Sequence, residues 1–343
     1  MLYDGTCVKQ EQCPCKLKGK TFPPKSEITR DCNTCTCRNG VWACTSLTCG
    51  SRCAAIGDPH YVTFDGKKYD FMGKCSYYLM QTDDMTVEAE NVVCSGAISE
   101  NMNLLPSFSS ELPSCTKSLT IKFKDNGKLK TIKLKQGGFV LVDGFEVTKL
   151  PKEMANGGVR IIQASSTFIL VDFQDGVRVW WDGITRAYID APASYRGKTK
   201  GLCGTFNANM KDDFLTPEGD IETAVSPFAN KWQTKESCEY VNNDIVPHPC
   251  QANIEMKDKA DRICSKIKEK VFEECHWLVD PESFFIDCLF DVCACKGDVN
   301  HCGCPILAAY AAECTRQGTV LNWRHKVTEC SKFKIYISGM QLV

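Results

Sequence analysis

The chain has no surplus of charge of either sign, because 41 lysines and arginines oppose 42 aspartates and glutamates among its 343 residues. A protein that wraps a polyanion needs a basic surface, so this balance argues against nucleic-acid binding. The chain also lacks an apolar run near the roughly 20 residues that a membrane-spanning helix needs. Glycine-rich phosphate loops are absent, and the scattered histidines show no metal-ligand spacing and no neighbouring nucleophile. The sequence therefore indicates neither membrane insertion nor a conventional enzyme.

Cysteine is the residue that the chain has in abundance, with 24 copies spread from Cys7 to Cys330. In an oxidising secretory compartment such a set forms a disulfide framework, here of 12 bridges if every cysteine pairs. Met1 is nevertheless followed by neither the basic nor the apolar stretch of a secretion signal. We therefore expect a piece of a longer, secreted, extracellular chain.

The first stretch, to about Gly50, is polar and cysteine-dense. It has too few large apolar residues for a core, so disulfides must hold it together. The spacing of Cys32, Cys35 and Cys37 is also compatible with a zinc site. The extracellular composition favours the disulfide module over zinc.

From about Cys53 to Trp232 the pattern is that of short strands. Residues 118–123 and 128–135 alternate apolar and polar side chains around Asp125-Asn126-Gly127, a typical hairpin turn. Similar strand patterns occupy residues 168–173 and 177–181, and helical periodicity is nearly absent. The sequence predicts an all-β, antiparallel, sandwich-like domain.

After Pro249 the apolar residues recur at helical spacing. Asp280-Pro281 predicts a helix start with Asp as the N-cap, and Cys304-Pro305 predicts another that Gly318 ends. The many cysteines of this region predict a small α-helical domain stapled by disulfides. The chain is thus expected to be multidomain.

Several motifs together resemble the von Willebrand factor type D assembly, which is found in gel-forming mucins, hemolectin-like clotting proteins and SCO-spondin. The stretch CVKQEQCPC resembles the end of a trypsin-inhibitor-like domain, and DCNTCTCRNGVWACTSLTC resembles the short cysteine-rich module that follows it. The stretches CAAIGDPHYVTFDGKKYDFMGKCSYYL and GLCGTFNANMKDDFL resemble the two signatures of the type D domain. Finally, CHWLVDPESFFIDCLFDVCAC and CGCPILAAYAAEC resemble the eight-cysteine domain. The implied boundaries are 1–14, 15–51, 52–240 and 248–330, with 331–343 as an atypical tail.

The resemblance implies a calcium site. Its ligands are the side chains of Asp65, Asn207, Asp212 and Asp213, with Asn209 contributing through its carbonyl group. Calcium prefers such oxygen ligands, and it would stiffen the domain rather than catalyse a reaction. Thr205 stands where relatives often have asparagine. The alternative is a solvated turn, in which asparagine and aspartate are common anyway.

The resemblance also implies particular cysteine roles. It pairs Cys53 with Cys203, Cys75 with Cys238, and Cys94 with Cys115. It makes Cys302 and Cys304 candidates for a disulfide between subunits. The alternative for these two is pairing inside the helical domain, since small stapled domains usually satisfy their own thiols.

A further motif is Gly57-Asp58-Pro59-His60. Some mucin-type relatives are cut between these Asp and Pro residues without a protease, and His60 could move the proton. The alternative is a turn at the entry of a strand. The resemblance therefore leaves self-cleavage at Asp58–Pro59 as the only reaction to consider.

The expected function is that of a non-enzymatic, adhesive and structural segment of a large multimerising secreted glycoprotein of clotting, mucus or matrix type. Its expected partners are further subunits or other extracellular proteins. One alternative is a regulator that binds growth factors of the BMP class, and a third class is lipid carriage. A basic stripe on one hairpin favours a solvated strand face over a site for sulfated glycans. Its members are Lys122, Lys124, Lys128, Lys130, Lys133 and Lys135.

Overall fold

The computed structural model describes residues 2–3, 6–7, 9–17, 19–30, 32–57, 60–93, 114–165, 168–242, 249–252, 254–295 and 298–331. In this part of the chain a small cysteine-rich module precedes a two-sheet β-region and a helical region. Short 3-10 helices occupy Gln10–Gln12, Gln136–Gly138, Ala155–Gly157, Ala193–Tyr195, Ser265–Lys268, Glu273–Cys275 and Thr328–Cys330.

The N-terminal module is built from short antiparallel strands. They are β1 (Leu2–Tyr3), β2 (Thr6–Cys7), β3 (Cys15–Leu17), β4 (Lys20–Phe22), β5 (Glu27–Arg30), β6 (Asn33–Arg38) and β7 (Val41–Cys44). Bridges join Cys15 to Cys37, Cys32 to Cys49 and Cys35 to Cys44. Cys15, Cys35 and Cys37 are nearly inaccessible to solvent, whereas most other side chains are exposed. Disulfides therefore take the place of an apolar core here.

The β-region contains two antiparallel sheets. The larger sheet has the order β10-β9-β8-β21-β20-β19-β18-β17, and the smaller has the order β11-β12-β13-β14-β15-β16. The larger sheet contains β8 (Ser51–Ile56), β9 (His60–Val62), β10 (Lys68–Asp70), β17 (Lys152–Met154), β18 (Val159–Gln163), β19 (Ile169–Phe173), β20 (Arg178–Trp181) and β21 (Ala187–Ala191). The smaller contains β11 (Ser76–Gln81), β12 (Met85–Val93), β13 (Ser114–Asp125), β14 (Lys128–Lys135), β15 (Val140–Val142) and β16 (Phe145–Glu146).

The two sheets face each other across one apolar core. Phe123 of β13 meets Phe173 of β19 edge to face, with ring centroids 5.2 Å apart. The predicted hairpin turn is confirmed, since Asn126 and Gly127 both have positive φ (48° and 76°) and Asp125 pairs with Lys128. That geometry suits the twist of two adjacent antiparallel strands.

Four helices follow a short one in the β-region, and most are held by disulfides. Helix α1 (Val225–Asn230) belongs to the β-region, and α2 (Pro249–Ala252), α3 (Ile254–Cys264), α4 (Pro281–Ala294) and α5 (Val299–Arg316) form the helical region. The cap at Asp280 is confirmed, because its carboxylate accepts the N–H of Glu282 at 3.0 Å. The start predicted at Cys304-Pro305 is wrong, since α5 begins five residues earlier and contains Pro305. Asp298 caps that helix by accepting the N–H of Asn300 at 3.0 Å, and this cap outweighs the proline signal.

The helical region packs on the outer face of the larger sheet. Ala54, Ile56 and Tyr188 from β8 and β21 share an apolar cluster with residues of α3, α4 and α5. Arg186 also donates from Nη1 to the carbonyl oxygen of Pro305 at 3.0 Å. Both faces of β8 are therefore buried, which explains why four consecutive residues of this strand, Cys53 to Ile56, are buried.

Candidate functional site: a carboxylate cluster between two loops

Three aspartates meet beside the larger sheet. Asp65 lies in the turn between β9 and β10, and Asp212 and Asp213 lie in the loop that follows Cys203. One carboxylate oxygen from each lies within 4.8 Å of the other two. Asp213 is fully buried, whereas Asp65 and Asp212 are partly exposed.

Backbone amides of the second loop hold Asp65 in place. Its carboxylate accepts the N–H groups of Asn207 at 2.9 Å, Ala208 at 2.7 Å and Asn209 at 3.2 Å. Ala208 adopts a positive φ of 68°, so the amides converge on one side chain. The turn after β9 and the Asx-rich loop are thereby joined.

Asp212 accepts hydrogen bonds from three side chains. Thr205 Oγ1 donates to it at 2.7 Å, Asn207 Nδ2 at 3.0 Å and Asn209 Nδ2 at 2.7 Å. Burial works against the charged form, but these bonds lower the pKa of Asp212 below its usual value. Thr205 thus supplies a hydroxyl donor to this carboxylate.

Asp213 is the member of the cluster whose charge is least favoured. Burial, together with the nearby carboxylates of Asp65 and Asp212, raises its pKa to about 6, although Thr63 Oγ1 donates to it at 2.6 Å. Gly204 leaves room for the Asp213 carboxylate, because a Cβ at this position would stand 2.4 Å from one of its oxygens. A bound cation would remove the like-charge repulsion.

The donor set fits a hard divalent cation. Calcium binds oxygen at about 2.3–2.6 Å, so opposite ligands stand about 5 Å apart, and the three carboxylate oxygens meet this limit. The amide oxygens of Asn207 and Asn209 have other partners in the structure, namely the N–H groups of Asn209 at 2.8 Å and Lys211 at 3.3 Å. The structure therefore brings together the three aspartates of the expected set and places the two asparagines as their hydrogen-bond donors.

Two of the expected disulfides are present in the structure. Cys53 is bonded to Cys203 and Cys75 to Cys238, with Cα atoms 5.6 Å and 5.8 Å apart. Cys115 is disulfide-bonded as well, but Cys94 lies outside the described residues, so its expected pairing with Cys115 stays a prediction.

The expectation that Cys302 and Cys304 link subunits requires a correction. Cys302 is bonded to Cys295, and Cys304 is bonded to Cys330. Cys304 is also nearly inaccessible to solvent. Both sulfurs are consumed within the helical region, which is the alternative pairing considered above.

His60 has a structural position that the sequence did not indicate. Its Nδ1 lies 2.8 Å from Asp70, and its Nε2 lies 2.9 Å from Asp291 of α4. Burial alone would lower the pKa of His60, but Asp291, Asp70 and Asp287 raise it well above 6.5. A doubly protonated ring is a poor base, so His60 is unsuited to accept a proton from a neighbouring peptide. Asp58 and Pro59, the expected cleavage position, lie outside the described residues.

No sequence pattern reveals the contact between His60 and Asp291, because 231 residues separate them.

The lysine stripe also has partners that spacing alone did not indicate. Lys122 of β13 contacts Glu88 at 2.5 Å, and Lys133 of β14 contacts Glu90 at 3.2 Å. Both glutamates belong to β12, which pairs with β13. Cross-strand carboxylates thus neutralise part of the stripe.

Within the described part of the chain, no helix has the length and apolar character needed to cross a membrane.

Three family models match the chain. The von Willebrand factor type D domain matches residues 53–220, the C8 domain residues 263–331, and the Von Willebrand factor-like domain residues 20–47. These matches correspond to the β-region, the helical region and the N-terminal module.

Relatives align over nearly the whole chain. SCO-spondin of Gallus gallus is 36% identical over 98% of this chain and 6% of its own length. The von Willebrand factor of Bos taurus is 35% identical over 94% of this chain and 33% of its own length, and Mucin-2 of Mus musculus is 34% identical over 93% and 7%. The chain therefore spans a third or less of the length of these relatives. The three matched models and the alignments together identify the chain as a von Willebrand factor type D assembly, with a VWF-like module, a type D domain and a C8 domain.

Proposed function

We propose that this chain is a calcium-stiffened structural segment of a large secreted, multimerising glycoprotein, and that it catalyses no reaction. The observation that carries the proposal is the meeting of Asp65, Asp212 and Asp213 between two loops far apart in sequence. A cation at this point would bridge the entry of the larger sheet to the Asx-rich loop. The Cys53–Cys203 bridge joins the same two parts of the chain covalently.

The electrostatics support a cation rather than a solvated turn. The raised pKa of Asp213, about 6, reflects a carboxylate buried beside two others. Lys67 is the nearby positive group that lowers this pKa, and its ammonium group lies 3.5 Å from the Phe214 ring centroid. One ammonium group leaves most of the negative charge uncompensated, and calcium would supply the remainder.

The alignments with SCO-spondin, von Willebrand factor and Mucin-2 support an extracellular setting and partners that are further subunits or other extracellular proteins. With Cys302 and Cys304 bonded internally, we propose that this segment takes part in assembly through its rigid surface. Adhesion and multimerisation then depend on the longer protein to which such a segment belongs.

Thermal unfolding with and without calcium tests the proposal. At a concentration 100 times its Kd, a ligand stabilises the folded state by about 2.7 kcal/mol. For a region of this size we expect a Tm increase of about 5–10 °C. Magnesium should give a smaller increase, because it demands a tighter octahedral geometry.

The variant Asp213→Asn should lose most of this increase, whereas Asp83→Asn, an exposed aspartate in the turn between β11 and β12, should keep it. Without calcium, Asp213→Asn should melt no lower than the wild type, because the substitution removes a buried, repelled charge. A Tm that calcium leaves unchanged in the wild type would overturn the proposal.

A further inference from the structure

A second site lies on the other side of the larger sheet, where the helical region packs against it. A cleft of about 430 Å³ opens between β8, β20 and β21 on one side and α5 with the segment after it on the other. We call it the arginine cleft, because Arg52, Arg186, Arg316 and Arg324 line it. No aspartate or glutamate is among the described residues that line it.

Three of these guanidinium groups lie over aromatic rings. Arg52 lies over Tyr188 at 5.0 Å, Arg186 over Phe168 at 5.4 Å, and Arg324 over Trp323 at 4.6 Å from the ring centroids. A guanidinium over an aromatic face is attracted to it by a cation–π interaction and still offers N–H groups to an oxyanion. The cleft therefore combines cationic hydrogen-bond donors with aromatic rings.

The charges of the cleft do not balance. Arg52 is paired with Asp190 at 2.5 Å, Arg186 with Asp182 at 2.7 Å and Arg316 with Glu313 at 2.6 Å.

Arg324 lacks such a partner, because no carboxylate of the described residues lies within 4.0 Å of its guanidinium. Its Nη1 donates to the carbonyl oxygen of Cys330 at 3.4 Å. Burial lowers the pKa of Arg324, and the positive charge of Arg186 lowers it further. One positive charge thus remains for an anion to neutralise.

The shape of the cleft favours a compact ligand over an extended peptide. Strands β8, β20 and β21 are interior strands of the sheet and pair on both sides, so no free strand edge is present for a peptide to extend. Ala308, Ala311 and Ala312 of α5 form a small apolar floor, and Thr315 adds a hydroxyl group to the wall. Such a floor, with charge and hydroxyl groups around it, suits the ring of a single sugar unit.

We propose that the arginine cleft binds an acidic sugar unit, whose carboxylate or sulfate ester contacts Arg324. The site is independent of the carboxylate cluster and lies against the opposite face of the domain core. Its ligand would come from a glycan of the surrounding extracellular material. Loss of this binding would leave calcium stiffening unaffected.

Calorimetry on the full chain with N-acetylneuraminic acid and galactose 6-sulfate tests the proposal, with neutral galactose as the control ligand. We expect at least one acidic sugar to bind and galactose to show no binding. The variant Arg324→Gln should weaken binding at least tenfold. Its matched control is Arg160→Gln, an exposed arginine of β18 that pairs with Glu153 at 3.6 Å.

A second variant, Ala312→Leu, keeps every charge and fills the floor of the cleft, so it should also weaken binding at least tenfold. This variant carries the test if Arg324→Gln does not fold. Acidic-sugar binding that is absent, or that both variants leave intact, would overturn the proposal. Tighter binding of a tetraglutamate peptide than of either sugar, with the same sensitivity to the variants, would replace the sugar by an acidic peptide.

Discussion

In the Asp291→Asn variant, the helical region should separate from the β-region at a lower urea concentration than in the wild type. The Asp291 carboxylate, 6% exposed, contacts Nε2 of His60 at 2.9 Å across the boundary between the two regions. Removing one partner of a buried ion pair typically costs about 3–5 kcal/mol, because the other charge stays buried. His60 keeps Asp70 at 2.8 Å, so we expect a value near the lower end, about 3 kcal/mol.

The measurement is urea unfolding with the disulfides intact, together with hydrogen exchange of the amides in β9 and α4. The matched control is Glu282→Gln on the same helix, whose pair with Lys268 at 2.7 Å is exposed and should contribute less than about 1 kcal/mol. In the double variant with His60→Gln, the loss should be smaller than the sum of the single losses. If Asp291→Asn were no less stable than Glu282→Gln, this contact would not hold the two regions together.

Two further predictions follow from contacts described above. Stability should fall as the pH rises from 6 to 8, because the raised pKa of His60 lets the folded state hold a proton that the unfolded chain releases; Asp287, with a pKa of about 6, adds a similar fall at lower pH, between about 4 and 6. In the His60→Gln variant the urea midpoint should depend less on pH across this range. An equally steep fall in that variant would contradict the assignment of the pH dependence to His60. The variant Cys304→Ala should leave one free thiol at Cys330, lose about 3 kcal/mol of stability and leave the mass on non-reducing electrophoresis unchanged. If the wild type instead ran as a disulfide-linked dimer and the Cys304→Ala variant ran as a monomer, Cys304 would be shown to link subunits.

Local sequence signals predicted much of the fold. The hairpin at Asp125-Asn126-Gly127 needs positive φ at its centre, and those residue types adopt it readily, so sequence and structure agree there. The helix start at Asp280 was also predicted correctly, because capping is a local hydrogen bond. The start of α5 was placed too late because a proline at a plausible first position hid the stronger cap at Asp298.

The two candidate sites also differ in whether a local sequence motif indicates them. The resemblance in the two type D signatures indicated Asp65, Asp212 and Asp213, although the roles of Asn207 and Asn209 depend on which way their amides point. The arginine cleft carries no local signature. Arg52, Arg186 and Arg324 come from separate parts of the chain and meet only because the helical region covers the sheet. Such packing between domains lies beyond what periodicity can predict.

The bridges of the type D domain also determine how far this part of the chain can be stretched. Without them, pulling Cys53 away from Cys238 could extend about 185 residues to roughly 600 Å. With Cys75 bonded to Cys238, the shortest covalent path between the two points is the stretch of about 22 residues from Cys53 to Cys75, with a contour length of about 75 Å. Tension applied across the domain therefore reaches a covalent stop after a short extension, and the strands from β11 to β21 lie outside the path that bears the load.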